Sequence, residues 1–466
     1  MSSGVWNLYR LGGNPFFQEP LSDDDTTLLR HMFVGRGTDL DLALRTITHD
    51  STTRAIIVGA PGVGKTTLLN RIRVELEAQR TAKGAPRFVT HSPAISIQGH
   101  WTTIDFCAEI LRTILLMRAG TKRKTVSPTV LQRLSGILGQ TTTVPTFWER
   151  VAQIVEGRQL IGLGITAGSV GGQVQPAWAA PVMGPASLLL LSNDAIRLLH
   201  AETGAEPVFF LNNLENLSRG EATHAAGLFQ DARDLFLTAG SHWVVCGTTE
   251  VDATVIRASV QVGGIFPMAL RLKPLDPEDV GEMLRKRYEA LHQGPVPFIP
   301  PIEPHVGEAL YRLYHGDLRN FLRLLQDAVI RAAGTRGATP ISPEQIVGIM
   351  GREHAAAIAQ DLGETSFGYF RRTVLGAGPG EPIWGTFTQA EAARRSGVSA
   401  PGFKRHMDQW FKRGYIAVER TDGRSEVVRL SGEAAIAFAA LAIQDGVAID
   451  PLLGTDSPLA LLRPVE

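Results

Sequence analysis

The segment Gly59-Ala60-Pro61-Gly62-Val63-Gly64-Lys65-Thr66 constrains this chain more than any other. Its G-x-x-x-x-G-K-[ST] spacing works only between a buried strand and a helix. Arg54 to Val58 is a short apolar, β-branched run and predicts the strand. From Thr67 to Leu76 the apolar positions recur at helical spacing. Between the two, glycines let consecutive backbone N–H groups turn inward around a phosphate chain, and the helix N-terminus adds partial positive charge. Gly59 through Thr67 are expected to wrap the phosphates, Lys65 to reach the β- and γ-phosphates, and the Thr66 hydroxyl to ligate Mg²⁺. The pattern predicts binding of a nucleoside triphosphate, ATP with Mg²⁺.

At 466 residues the chain exceeds one ordinary core, so two or three domains are expected. Lys+Arg and Asp+Glu balance at 46 each, so attraction to nucleic acid must come from a local patch. Cys107 and Cys246 lie in apolar stretches and read as small core residues in a reducing, cytoplasmic setting. No basic segment followed by an apolar run opens the chain, so no secretory signal is expected. Residues 159–193 carry no charge, but Gly162, Gly164, Gly168, Gly171, Gly172, Pro176, Pro181, Gly184 and Pro185 interrupt them. Ile165 to Gln175 alternates around a Gly-Gly pair, so a hairpin or mobile insertion is expected there rather than a membrane span.

Further strands are predicted at 87–90 with 94–97, at 207–211, at 243–246 and at 266–272, and helices at 104–117 and 188–200. Lys122-Arg123-Lys124 reads as a solvated loop. The strand ending Phe210-Leu211-Asn212-Asn213-Leu214-Glu215 occupies the place where P-loop ATPases carry the Walker B carboxylates. Here Asn212, the position that would hold Mg²⁺ through water, and Asn213, the position that would polarise water, are amides. An amide brings no negative charge to the metal and cannot accept a proton. Glu215 is the nearest carboxylate; it either substitutes catalytically or caps the loop. Thr248 or Thr249, after the 243–246 strand, serves as a γ-phosphate sensor or as an ordinary turn.

These motifs together resemble an AAA+ ATPase, specifically the origin-recognition and replication-initiator branch. Asn14-Pro15-Phe16 and Phe33-Val34-Gly35-Arg36 look like the segment that packs against adenine, which implies a base contact for Val34. LRLKPLDPEDVGEMLRKRY, from Leu270 to Tyr288, resembles the start of the helical lid. His315-Gly316-Asp317-Leu318-Arg319-Asn320 resembles the sensor 2 motif, which implies that Arg319 folds over the γ-phosphate. The resemblance spans roughly residues 14 to 335 and departs from pattern at the Walker B element. It also implies an arginine finger, for which Arg257 and Arg271 are candidates.

Beyond a connecting helix at 343–361 the balance of charge shifts: residues 365 to 440 hold eleven Lys or Arg against seven Asp or Glu. Thr388 with Glu391 predicts a capped helix start, Ser396 to Ser399 a turn, and 401–413 a second helix. That helix has Phe403, Met407, Trp410 and Phe411 on its inward stripe. Two alternating strands follow around an Asp-Gly turn signal. The run GYIAVERTDGRSEVVRLS, 414–431, resembles the wing of a MarR-type winged helix. Lys404, Arg405 and His406 are then candidates for a major groove and Arg424 for a minor groove.

The expected fold is α/β: a parallel-sheet P-loop core of AAA+ type with a helical lid, plus a C-terminal winged helix-turn-helix domain. Expected boundaries are 1–50 lead-in, 51–274 core with its Gly-rich insertion near 159–186, 275–340 lid, 341–364 connector, 365–445 winged helix and 446–466 tail. The expected function is an ATP-dependent switch that binds duplex DNA, with a homo-oligomer or protein partner and no membrane. Two further readings stay open: a signalling or defence ATPase whose winged helix contacts protein, and a transcriptional regulator without turnover.

Overall fold

Around the phosphate motif, short apolar runs pair into one parallel sheet: β1 Arg54–Val58, β2 Phe88–Val89, β3 Ile95–Ser96, β4 Glu206–Asn212, β5 His242–Gly247 and β6 Met268–Arg271. The computed structural model describes residues 3–22, 24–121, 144–162, 183–214, 217, 219–332, 338–376, 386–422 and 425–445. Strand order is β2-β4-β5-β1-β6, with β3 also on β4. β2 and β3 share one edge of β4: Val89 faces Pro207 and Ser96 faces Asn212. Where that edge strand is broken, His91 fills the gap, its Nε2 accepting the Phe210 N–H at 3.3 Å. A buried amide is thereby satisfied without a ladder bond.

The central residues of β1, β4 and β5 are apolar on both faces because helices cover both sides of a parallel sheet. Val208, Phe209, Phe210 and Leu211 are all buried. Phe209 stacks on Trp243 at 4.3 Å and Phe236 meets Trp243 edge-on at 5.0 Å, contacts worth about 0.5–1.5 kcal/mol each beyond burial. Covering helices include Lys65–Ala78, Thr103–Ala119 and Pro185–Thr203. Thr102 and Asp105 close a capping box on the second. Both cysteines are buried and unbridged, and burial, eased only partly by a bond to Ser192, pushes the Cys107 thiol up to about 12. The expected hairpin at 165–175 and the basic loop at 122–124 lie outside the described residues.

This sheet belongs to one unit, Leu21–Leu29 with Arg36–Lys273; the other comprises Met1–Pro20, Arg30–Gly35 and Pro274–Glu466. In the second unit the helices Pro277–Leu291, Pro304–Leu313 and Leu318–Ala332 lie in the 275–340 stretch. Asn14-Pro15-Phe16 docks on them: Phe16 is fully buried between Trp6 at 5.8 Å and Tyr288 at 6.0 Å. Arg287 donates to the Pro15 and Phe17 carbonyls at 3.0 and 2.9 Å, its guanidinium 4.1 Å from the Phe17 ring.

The connecting helix ends close to the expected 361, at Gly363, whose φ of 75° and ψ of 158° are non-helical, and a second helix continues from there to Leu375. Beyond that break Phe370 stacks on Trp410 at 4.2 Å, so the last turns of this helix are part of the C-terminal core. There follow β7 Thr386–Thr388, helices Gln389–Ser396 and Ala400–Lys412, then β8 Ile416–Asp422 and β9 Ser425–Leu430 in an antiparallel sheet of order β7-β9-β8. Thr388 caps its helix by accepting the Glu391 N–H at 3.3 Å. In the hairpin Asp422, the first residue of the Asp-Gly signal, is itself paired with Ser425. A helix that the sequence patterning did not announce, Gly432–Gln444, closes the unit; the expected tail, 446–466, lies outside the described residues. Among the described residues no helix is long and apolar enough to cross a membrane.

Candidate nucleotide site

At the carboxyl end of β1 the backbone turns through Gly62 and Gly64, with φ of 79° and 91°. Only glycine holds such angles without strain, so the motif's second and third glycines are requirements of the turn. Gly59 is needed for a different reason: a Cβ there would come within 2.9 Å of Val63 Cγ2 and 3.1 Å of the Leu272 carbonyl. Val63 points inward and is buried, while Ala60 and Pro61 form the exposed rim. Gly64 is the N-cap of Lys65–Ala78 and offers no side chain to its N–H groups; the first turn holds no acidic residue. The helix start is thus open to an anion.

Lys65 is only 4% exposed. Its Nζ donates to the Gly59 and Ala60 carbonyls at 3.1 and 3.0 Å, so its charge is curled back on the loop it would share with phosphates. Arg36, the last residue of the FVGR run, is buried beside the same loop. It donates to the Val63 carbonyl at 2.9 Å, to the Lys273 carbonyl at 2.5 Å and to Asp39 at 3.1 Å. Sequence reasoning assigned it no role. Two of its partners are backbone carbonyls, which leave no signature in side-chain identity.

β4 ends beside the loop. Asn212 Nδ2 donates to Thr66 Oγ1 at 3.4 Å, and Asn212 Oδ1 is buried with no hydrogen-bond partner among the described residues. Leaving such an acceptor unmet costs about 1–3 kcal/mol. Asn213, in a left-handed conformation with φ of 64°, turns away and donates to the Ser96 hydroxyl. Glu215 lies outside the described residues. The phosphate loop fits a triphosphate. The Mg²⁺ position fits poorly, since the two residues facing it, Thr66 and Asn212, are both neutral and bonded to each other.

The neighbouring candidates are engaged locally. Thr248 accepts the Val251 N–H at 3.2 Å as the cap of a short helix, whereas Thr249 is exposed. Arg257 pairs with buried Asp252 at 3.2 Å and donates to the Gly263 carbonyl at 3.0 Å; Arg271 approaches the same carboxylate at 3.9 Å and is mostly exposed. Thr67 is half-buried in the first helical turn.

Val34 and Arg319 belong to the other unit, where Val34 is half-buried and Arg319 exposed in the first turn of Leu318–Ala332. Asp317 caps that turn by accepting the Asn320 N–H at 3.1 Å, and Gly316 takes a φ of 91° against Pro274. On the second helix of the C-terminal group Lys404 and Arg405 are exposed, and among the described residues neither is ion-paired. His406 corrects the expectation of three basic contacts. It is buried, its Nδ1 sits 3.2 Å from the Ser366 hydroxyl and its ring packs on Tyr369 at 4.9 Å. Burial, and then the nearby Arg405 charge, lower its pKa, so it is a neutral core residue. Arg424 lies outside the described residues.

No family model matches the chain, and no curated protein matches it. Among solved structures it is similar to the Aeropyrum pernix ORC1 protein in complex with DNA, at 14% identity and a TM-score of 0.40, covering 89% of this chain and 93% of that one. It is also similar to the Aeropyrum pernix ORC2 protein in ADPNP–ADP complexes, at 11% identity and 0.44, covering 91% and 99%. A third likeness is to Cdc6p from Pyrobaculum aerophilum, at 14% identity and 0.38, covering 91% and 99%.

Proposed function

We propose that this chain is an ATP-binding switch of the AAA+ kind, in which nucleotide state sets the affinity of a C-terminal winged helix for duplex DNA. One observation carries the reading: a strand, a loop held by left-handed Gly62 and Gly64, and a helix start that is uncapped and without acid, with Lys65 buried at its base. Loop amides from Gly59 to Thr67 would hold the phosphates, and Lys65 would exchange the Gly59 and Ala60 carbonyls for phosphate oxygens. For the DNA arm, the support is Lys404 and Arg405, exposed on the helix that follows the turn. Arg319 is proposed as the γ-phosphate-responsive arginine on its motif alone.

Turnover is proposed to be slow, because neither Asn212 nor Asn213 can accept a proton and Asn213 is tied to Ser96. ATP binding and turnover, with and without duplex DNA, test this in the wild type, Lys65→Ala and Glu215→Gln. Binding lost in Lys65→Ala with little turnover in any variant supports the reading; brisk DNA-stimulated turnover lost in Glu215→Gln replaces the switch with an active ATPase. The burial of His406 favours a second reading, a winged helix that contacts protein, because it removes one of the three basic groups expected on the recognition helix.

A further inference from the structure

We infer that the nucleotide site binds ATP without needing a divalent cation, and that Asn212 is the residue that sets this independence. The inference rests on the ATP binding proposed above and adds the metal requirement of that site. A hydroxyl that ligates Mg²⁺ gives the metal an oxygen lone pair. Here the Thr66 Oγ1 faces the Asn212 Nδ2 at 3.4 Å, so a donor with partial positive hydrogens points at the same oxygen. Turning the amide over would exchange donor for acceptor and leave the pair uncharged. Mg²⁺ gives up its waters reluctantly and is held by one or two carboxylates together with phosphate oxygens. Asn212 offers only a neutral oxygen, buried and unpartnered, and Asn213 is committed to the Ser96 hydroxyl. Among the described residues no group of three or more His, Cys, Asp or Glu could hold a metal ion.

The protein supplies the compensating charge itself. Lys65 is buried at the base of the loop, and no acidic residue of the first helical turn opposes an anion at the helix start. Phosphate charge is therefore met by an ammonium group and aligned amides. Placing a carboxylate at position 212 would reverse the balance: it would repel bare triphosphate and create a demand for the cation that screens it.

The test measures ATP affinity calorimetrically on the full chain, once with excess EDTA and once with saturating Mg²⁺. The wild type is expected to bind with affinities within about threefold of each other. Asn212→Asp is expected to bind weakly in EDTA and to recover with Mg²⁺, a ratio of about tenfold or more. Lys65→Ala should lose binding in both conditions. A wild-type affinity that rises tenfold or more with Mg²⁺ overturns the inference while leaving ATP binding intact, as it would if Glu215 supplied the missing charge. No saturable binding in either condition, with the wild type matching Lys65→Ala, overturns the ATP reading and the inference together. The wild-type comparison decides the matter even if Asn212→Asp fails to fold.

Discussion

The Arg36 guanidinium donates to the carbonyl of Val63 at 2.9 Å, bracing the phosphate loop from a residue 27 positions before it. The same group holds the Lys273 carbonyl and Asp39 while almost wholly buried, so removing it strands several polar atoms at once. Arg36→Ala should lower unfolding stability by about 2 kcal/mol and weaken ATP binding. Arg36→Lys should not restore it, because an ammonium cannot reproduce a planar fork across three acceptors. Denaturant midpoints and ATP affinity check both; an unchanged midpoint would show that the brace contributes nothing.

Gly64 and Gly316 share a φ of 91° but differ in the space beside them. A Cβ on Gly64 meets nothing within 4 Å, whereas one on Gly316 would fall 2.3 Å from Pro274 Cβ. Gly64→Ala should therefore cost about 1–2 kcal/mol from backbone strain alone. Gly316→Ala should cost that plus about 1–3 kcal/mol of crowding. Equal losses in chemical denaturation would remove the steric part of the argument.

Asp194 gives a pH signature. Burial raises its carboxyl from 3.8 to about 6, against a smaller opposing pull from Arg197. Between those two values the native state holds more protons than the unfolded chain, so this group makes stability fall as pH rises. Asp194→Asn should raise stability at pH 7 by on the order of 2 kcal/mol and give no gain below about pH 4. A gain independent of pH would contradict the assignment.

On the C-terminal helix, exposed and buried basic groups should behave differently. Lys404→Ala and Arg405→Ala should each lower the salt dependence of duplex binding by about one unit of slope while leaving the fold intact. His406→Ala should instead destabilise the unit by about 1–3 kcal/mol, since it opens a void beside Tyr369 and leaves the Ser366 hydroxyl with the Trp410 indole N–H as its one remaining side-chain partner among the described residues. Salt-resolved DNA titrations and melting curves separate the two classes.

The phosphate loop was legible in the sequence because glycine spacing, a buried strand and a helix start must coincide there. β4 and β5 were legible because strands of a parallel sheet are apolar on both faces, as Phe209, Phe210 and Val245 are. Gly432–Gln444 was not. Its residues are buried almost all round, so it shows no apolar stripe to mark a helical period. His406 was misread because its neighbours Lys404 and Arg405 are basic, while the helix turns it inward toward Ser366. Asn212 and Asn213 were visible as amides, but only the structure shows one facing Thr66 and the other Ser96.

The most direct test of the account is the affinity of the full chain for duplex DNA with and without ATP, in the wild type and in Lys65→Ala. Coupling between the two sites is the central claim, and it has a magnitude: ATP should change DNA affinity by about tenfold, or about 1.4 kcal/mol. Lys65→Ala should bind DNA with one affinity whether or not ATP is present. Wild-type DNA affinity that is the same in both conditions, with ATP shown to be bound, would contradict the switch.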